Sequence, residues 1–340
     1  MDNEYIIFHW GAPPTIEQGI PLYSLLYSLK NGDSPDKFEK TYEQLFVGFL
    51  GKYDVLSFQS DDRKTHVGES DKTKRVCRFC DNKREKVTFK NRAHAISESL
   101  GNKTLILNEE CDECNSEFGL GIERDLIAYL KPFASIFGIK GKKGVPTYKG
   151  KNFTLSRNKA GGIDLDYFIA TGEEKGKSPI TLRTFDCITM QNIYRTFCKY
   201  ALSVIEQEYL EKFSETLAWI KGEKSIVQLP SIAILKSYRL LTAQPKITIS
   251  MRTDNDYSLP FAIGEFRCNY LTFIFIIPLS SDDDRDFMNK GDYDNFWRFF
   301  KHYSSTNGWE FIDFSDGKKK DYSVQMNINT PNDYSIKLGL

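Results

Sequence analysis

The sequence predicts an α+β protein, and three observations carry that prediction. Apolar residues recur at helical spacing early in the chain and again around residues 193–205. Between residues 246 and 279 the pattern changes to strand-like alternation. Between these regions lies a window dense in cysteine that neither period explains.

Taken in order, Ser34, Pro35 and Asp36 form a helix start signal. Phe38, Tyr42, Leu45, Phe46 and Phe49 then follow at helical spacing. Residues 1–74 are therefore expected to be a helical N-terminal region, closed by the polar stretch Ser60 to Lys74 as a loop or linker. Residues 75–131 hold the cysteines. Phe118, Ile122, Leu126, Ile127 and Leu130 predict a helix after them, which Gly119 and Gly121 weaken and Pro132 should stop. Residues 132–163 read as a turn-rich basic loop or hairpin. Residues 164–340 read as a C-terminal α+β domain. Its helix over 185–222 presents Ile193, Phe197, Tyr200, Ala201, Val204 and Ile205. An antiparallel hairpin is expected around the Arg267–Asn269 turn. Further strands are expected near Glu310–Phe314 and Ser323–Ile328, with a helix over Tyr293–His302.

Composition narrows the class. The chain has 340 residues, with 46 basic and 46 acidic side chains and 14% aromatics, which fits packed globular structure and not disorder. Its most apolar stretch, Tyr270 to Leu279, has only the length of a strand, so no membrane span is expected. The N-terminus starts Met1, Asp2, Asn3, Glu4 without a basic or apolar leader, which predicts a cytoplasmic protein. In a reducing compartment, paired cysteines read as metal ligands before disulfides.

Cys77 and Cys80 form one C-x2-C pair, and Cys111 and Cys114 form a second. Four thiolates in two knuckles suit one closed, structural Zn2+. The metal-binding energy of such a site is folding energy for its subdomain. Thirty residues separate the pairs, more than a zinc ribbon needs, so a segment is inserted. Cys187, Cys198 and Cys268 are expected to be small buried hydrophobes. His9, His66 and His302 are expected to be ordinary surface or core histidines.

The inserted segment contains Ala93, His94, Ile96, Leu100, Gly101 and Asn108, and Asn115 follows Cys114. Here the chain resembles the HNH endonuclease family, the ββα-metal or His-Me finger nucleases. The likeness is to a zinc-ribbon subgroup with an A/E-H-x-I-x-x-x-L-G core followed by N-x-x-C-x-x-C-N. It covers about residues 75–120. The resemblance implies a zinc-bound ββα-metal nuclease module that hydrolyses phosphodiester bonds, most readily of DNA. By the same resemblance, His94 is the general base, Asn108 braces the loop holding it, and Asn115 offers a ligand to a catalytic Mg2+ or Mn2+. The chemistry agrees: hydrolysis needs an activated water, which a neutral imidazole supplies near pH 7, and positive charge on the phosphate. Two positions depart from the family pattern. Ala93 stands where a second cation ligand is common, and Gly119 stands one turn after Asn115. Glu98, Asp112 and Glu117 are the carboxylates left to complete that site.

From Leu126 to Ile163 there is no acidic residue, while eight lysines and arginines occur, among them Lys140, Lys142, Lys143, Lys149 and Lys151. The neutral average thus hides a polarised molecule. These five lysines are expected to contact a nucleic-acid backbone. Phe133, Phe137, Tyr148 and Phe153 lie among them, and core packing is the expected role for such aromatics. Regions 1–74 and 164–340 are expected to supply targeting, regulation, a protein partner or homo-oligomer contacts. Analogy with stand-alone members of the family implies a role in bacterial anti-phage defence. The competing expectation, which Ala93 and Gly119 favour, is a non-catalytic zinc-dependent nucleic-acid-binding protein.

Overall fold

The computed structural model describes residues 40, 46–59, 64–139, 145–158, 162–168, 180–237 and 242–326. Helices and strands are mixed along the described residues, with two runs of four consecutive strands, and the sheets are predominantly antiparallel. The strands are β1 (Tyr53–Gln59), β2 (Thr65–Val67), β3 (Ala93–His94), β4 (Leu105–Leu107), β5 (Tyr148–Lys149), β6 (Phe153–Arg157), β7 (Ile163–Tyr167), β8 (Ile180–Thr189), β9 (Ile232–Lys236), β10 (Thr242–Arg252), β11 (Ala262–Asn269), β12 (Leu271–Ile276), β13 (Trp309–Ile312) and β14 (Lys319–Met326). The main helices are α1 (Asp112–Leu120), α2 (Ile122–Ile136), α3 (Met190–Leu202), α4 (Ser214–Ile220) and α5 (Lys290–Phe299). No described helix is long and apolar enough to cross a membrane.

The central sheet has the order β1-β10-β11-β12-β9-β13, with every neighbour antiparallel. Its inner strands are buried on both faces, which explains the near-continuous apolar run of β12. On one face Phe266, Phe273 and Phe275 meet Phe197 of α3. On the other, Ile263, Ile274 and Ile276 pack with Phe296 of α5 and with Phe300. Gly264 lies opposite Phe275, and a Cβ there would fall 2.1 Å from the Phe275 ring, so this pair requires glycine.

Several elements differ from the sequence expectation. The start signal at 34–36 and the helical positions Phe38, Tyr42 and Leu45 lie outside the described residues. Within the stretch read as helical, residues 53–59 form β1, an edge strand of the central sheet, and within the stretch read as a loop or linker residues 65–67 form β2. Leu56 and Phe58 pack on one core cluster while Tyr53 belongs to the other, which is strand periodicity. The helix after the cysteines is broken at Gly121 into α1 and α2, and α2 runs through Pro132 to Ile136. Burial of Leu126, Ala128 and Leu130 outweighs the hydrogen bond that proline forfeits. Helix α3 begins only at Met190, because residues 180–189 form β8 and pair with β14.

The segment expected as a basic loop begins inside α2. Beyond it, β5, β6 and β7 form an antiparallel sheet that shares an apolar cluster with Leu182 of β8. Lys140, Lys142 and Lys143 lie outside the described residues. Lys149 is exposed, and Lys151 is engaged by Asp321 at 2.8 Å. Tyr148 and Phe153 are buried core residues, and Phe137 stacks on Tyr270 at 3.9 Å.

Candidate active site and metal centre

The cysteine window folds as two knuckles on a small sheet. Strand β4 pairs antiparallel with β3 and parallel with β2, and α1 follows, giving a ββα unit with one added strand. The four cysteine sulfurs lie within 4.8 Å of one another. Cys80 Sγ and Cys111 Sγ are 3.8 Å apart, the edge that a tetrahedron of Zn–S bonds of about 2.3 Å requires. Among the described residues this is the one such cluster of histidine, cysteine and carboxylate side chains.

The protons on these sulfurs argue the same way. The Cys111 amide donates to Cys77 Sγ at 3.4 Å and the Cys114 amide to Cys111 Sγ at 3.5 Å. A hydrogen bond from the Cys114 thiol holds the Cys77 pKa down to about 5. Burial pushes Cys111 up to about 12, and the bond to Cys77 drives Cys114 upward. Four clustered thiols, three of them buried, cannot all ionise beside one another without a cation, and a dication removes that obstacle. The residues therefore fit Zn2+.

The metal centre is bolted to the rest of the molecule. Arg78, between the first two cysteines, is buried and pairs with Glu109 at 2.5 Å. It also donates to the carbonyls of Leu202 and Ile205, where α3 ends. Lys199 of α3, 1% exposed, bridges Glu110 at 3.0 Å and Glu123 at 3.1 Å. Burial works against its charge, but the two carboxylates outweigh that and raise its pKa. Burial pushes Glu110 up to about 7, with Lys199 acting against it. One apolar cluster runs from Cys77 through α3 into the central sheet.

His94 ends β3 and is half-buried. Its Nδ1 is buried and without a hydrogen-bond partner. Burial lowers its pKa below the ordinary value; Glu98 opposes this, Arg92 and Lys199 add to it, and Glu123 opposes it. The imidazole is thus kept neutral near pH 7 and able to accept a proton.

The loop after His94 is braced by Asn102. This side chain is fully buried. Its Nδ2 donates to the carbonyls of Ile96 at 2.6 Å and Leu105 at 3.0 Å, and its Oδ1 accepts from the amides of Thr104 and Leu105. Asn108, expected in that role, does something else. Its Oδ1 lies 3.1 Å from His66 Nδ1, and its Nδ2 reaches the Gly68 carbonyl at 3.4 Å. Asn108 braces β2, not the His94 loop. A Gly-Asn pair reads as an ordinary turn in sequence, so Asn102 carried no signal beyond that.

Asn115 is half-buried in α1, and its side chain makes no hydrogen bond to another described residue. Ala93 is buried and offers no donor atom, and Gly119 lies on an exposed, open helical position. Asp112 is already committed. Despite partial burial, which pushes the other way, hydrogen bonds from Thr88 and the amides of Lys90 and Asn91 hold its pKa low. Glu98 and Glu117 are exposed. The Asn115 amide oxygen is a hard donor of the kind that Mg2+ accepts alongside water and phosphate. Of the remaining cysteines, Cys198 and Cys268 are buried, whereas Cys187 is half-exposed and donates to Asp321 at 3.1 Å.

Compared with known proteins, residues 77–131 match the family model described as HNH endonuclease. No curated protein and no solved structure matches the chain.

Proposed function

We propose that the protein is a metal-dependent endonuclease that hydrolyses phosphodiester bonds in nucleic acid, with DNA as the preferred substrate and His94 as the general base. The observation that supports this best is the state of His94. It is a half-buried imidazole with a depressed pKa and an unpartnered Nδ1, within the segment that matches the HNH family. In this reading His94 accepts a proton from the attacking water. Asn102 fixes the loop that follows it. The four cysteines hold the structural zinc and never meet substrate. A Mg2+ or Mn2+ ion beside Asn115 would place positive charge on the scissile phosphate. Arg92 and Lys90, exposed next to β3, would add charge toward the substrate backbone. Lys149 is also exposed, and Lys140, Lys142 and Lys143 carry further positive charge in the sequence. The biological setting that fits this reading is bacterial defence against foreign DNA, by analogy alone.

Ala93 and Gly119 favour a second reading, a zinc-dependent protein that binds nucleic acid without cutting it. Incubation with supercoiled plasmid, single-stranded DNA and RNA, with Mg2+, Mn2+ or chelator, separates the two. Metal-dependent nicking supports the hydrolase. Salt-dependent binding with every substrate left intact supports the binder.

A further inference from the structure

The sheet beside His94 contains a strand from outside the family-matched segment. β2 pairs with β4 so that His66 lies opposite Ile106, and β3 pairs with β4 so that His94 also lies opposite Ile106. Directly paired residues project from the same side of a sheet. His66, Ile106 and His94 therefore form one row, with the two histidines two strand spacings apart, about 10 Å. Leu105 and Leu107, on the alternate positions of β4, belong to the apolar core. The row lies on the other face of the sheet, where Ile106, between the two histidines, is itself buried.

His66 is exposed, but its ring is held. Asn108 is 5% exposed, and its Nδ2 is directed to the Gly68 carbonyl. That leaves Oδ1, an acceptor, facing His66 Nδ1 at 3.1 Å. Nδ1 must then carry a proton, and Nε2 is turned away from Asn108. The strand is pinned as well. The Thr65 amide donates to the Thr104 carbonyl, and the Asn108 amide to the Val67 carbonyl, both at 2.9 Å. Gly68, at φ 83°, turns the chain so closely over Glu109 that a Cβ would lie 2.4 Å from that side chain. Glu109 in turn accepts from the Glu69 amide at 2.9 Å and pairs with Arg78.

A buried carboxamide orienting an exposed imidazole, on the row of the base, is the arrangement of a working histidine. The chemistry leaves a role for one. The two positions without cation ligands, Ala93 and Gly119, leave the charge of the departing alkoxide poorly compensated. We propose that His66 is the general acid that protonates the leaving oxygen, with Asn108 as its positioning residue; the inference rests on the hydrolase reading of His94. In the step, the water oxygen bonds to phosphorus while His94 takes a water proton. The electron pair of the breaking P–O bond passes to the leaving oxygen, which takes the Nε2 proton of the His66 imidazolium.

The test compares wild type, His66→Gln and Asn108→Leu on two oligonucleotides. One is natural, and the other carries a bridging sulfur in place of the leaving oxygen, made in 3′ and 5′ versions. A thiolate leaves without protonation, so the sulfur substrate does not need the acid. The account predicts a loss of about 100-fold or more for His66→Gln on the natural substrate, and less than about 10-fold on the sulfur one. Asn108→Leu should show a smaller loss with the same substrate dependence. Melting curves check that both variants fold. Equal losses on both substrates, or no loss at all, overturn the acid role while leaving His94 untouched. A wild-type protein inert on both substrates overturns the hydrolase reading and the acid role together.

Discussion

Asn102 Nδ2 lies 2.6 Å from the Ile96 carbonyl and ties the residues just after His94 to the start of β4. Because the side chain is fully buried, Asn102→Ala strands several polar backbone groups at once. The expected cost is about 3 kcal/mol of stability, read from denaturant melts. Cleavage should fall further than the melt explains, since the loop holding His94 is no longer tied down. A variant that melts like wild type and cuts like it removes the brace from the account.

Metal analysis should find one zinc per chain, lost on Cys77→Ser or Cys111→Ser. Because zinc binding is folding energy for a closed four-cysteine site, strong chelation should lower the melting temperature as well. Full stability in zinc-free protein would mean that the cysteines are packing residues only.

The pH dependence of cleavage has a definite sign. His94 acts only when neutral, and burial puts its pKa below the ordinary value of about 6.5. The limb rising with pH should therefore have its midpoint below about 6.5. A midpoint above the ordinary histidine value contradicts the burial argument.

Lys199→Met leaves Glu110 and Glu123 buried without their counter-ion. Removing one member of a buried ion cluster costs about 3–5 kcal/mol. Thermal melts should show this loss, and it should extend to the zinc module because α3 is the surface on which that module rests.

The lysines of the basic segment should not be equivalent. Alanine at Lys140, Lys142, Lys143 and Lys149 should flatten the salt dependence of DNA binding, by a slope of about 0.9 for each phosphate that is no longer neutralised. Lys151 is already engaged by Asp321, so Lys151→Ala should change that slope little. A fluorescence titration across salt concentrations reads both.

The cysteine pairs, the C-terminal strands and the helix near Tyr293 were legible because each depends on local pattern. Spacing defines the knuckles, alternation defines β10, and a short apolar run defines β12. β1 was hidden because Phe46 and Phe49 continue a helical pattern up to its edge, while its partner β10 lies about two hundred residues further on. β2 has three residues, too few to show any period. Its place is set by backbone pairing with β4, which also decides that Asn108 meets His66 and not the His94 loop. The helix through Pro132 shows burial overriding a local stop signal. The fold class and the zinc ligands were therefore readable, whereas the His66–Asn108 contact depended on the long-range β2–β4 register, and the Asn102 brace, though local, left no residue pattern that tells it from an ordinary turn.

The most direct test of the central claim is cleavage of plasmid DNA by His94→Ala beside wild type, at equal zinc content and equal melting temperature, with Mg2+ or Mn2+ present. The account predicts that the variant still binds DNA while its cleavage rate falls by about 100-fold or more. Cleavage by the variant at the wild-type rate would contradict it.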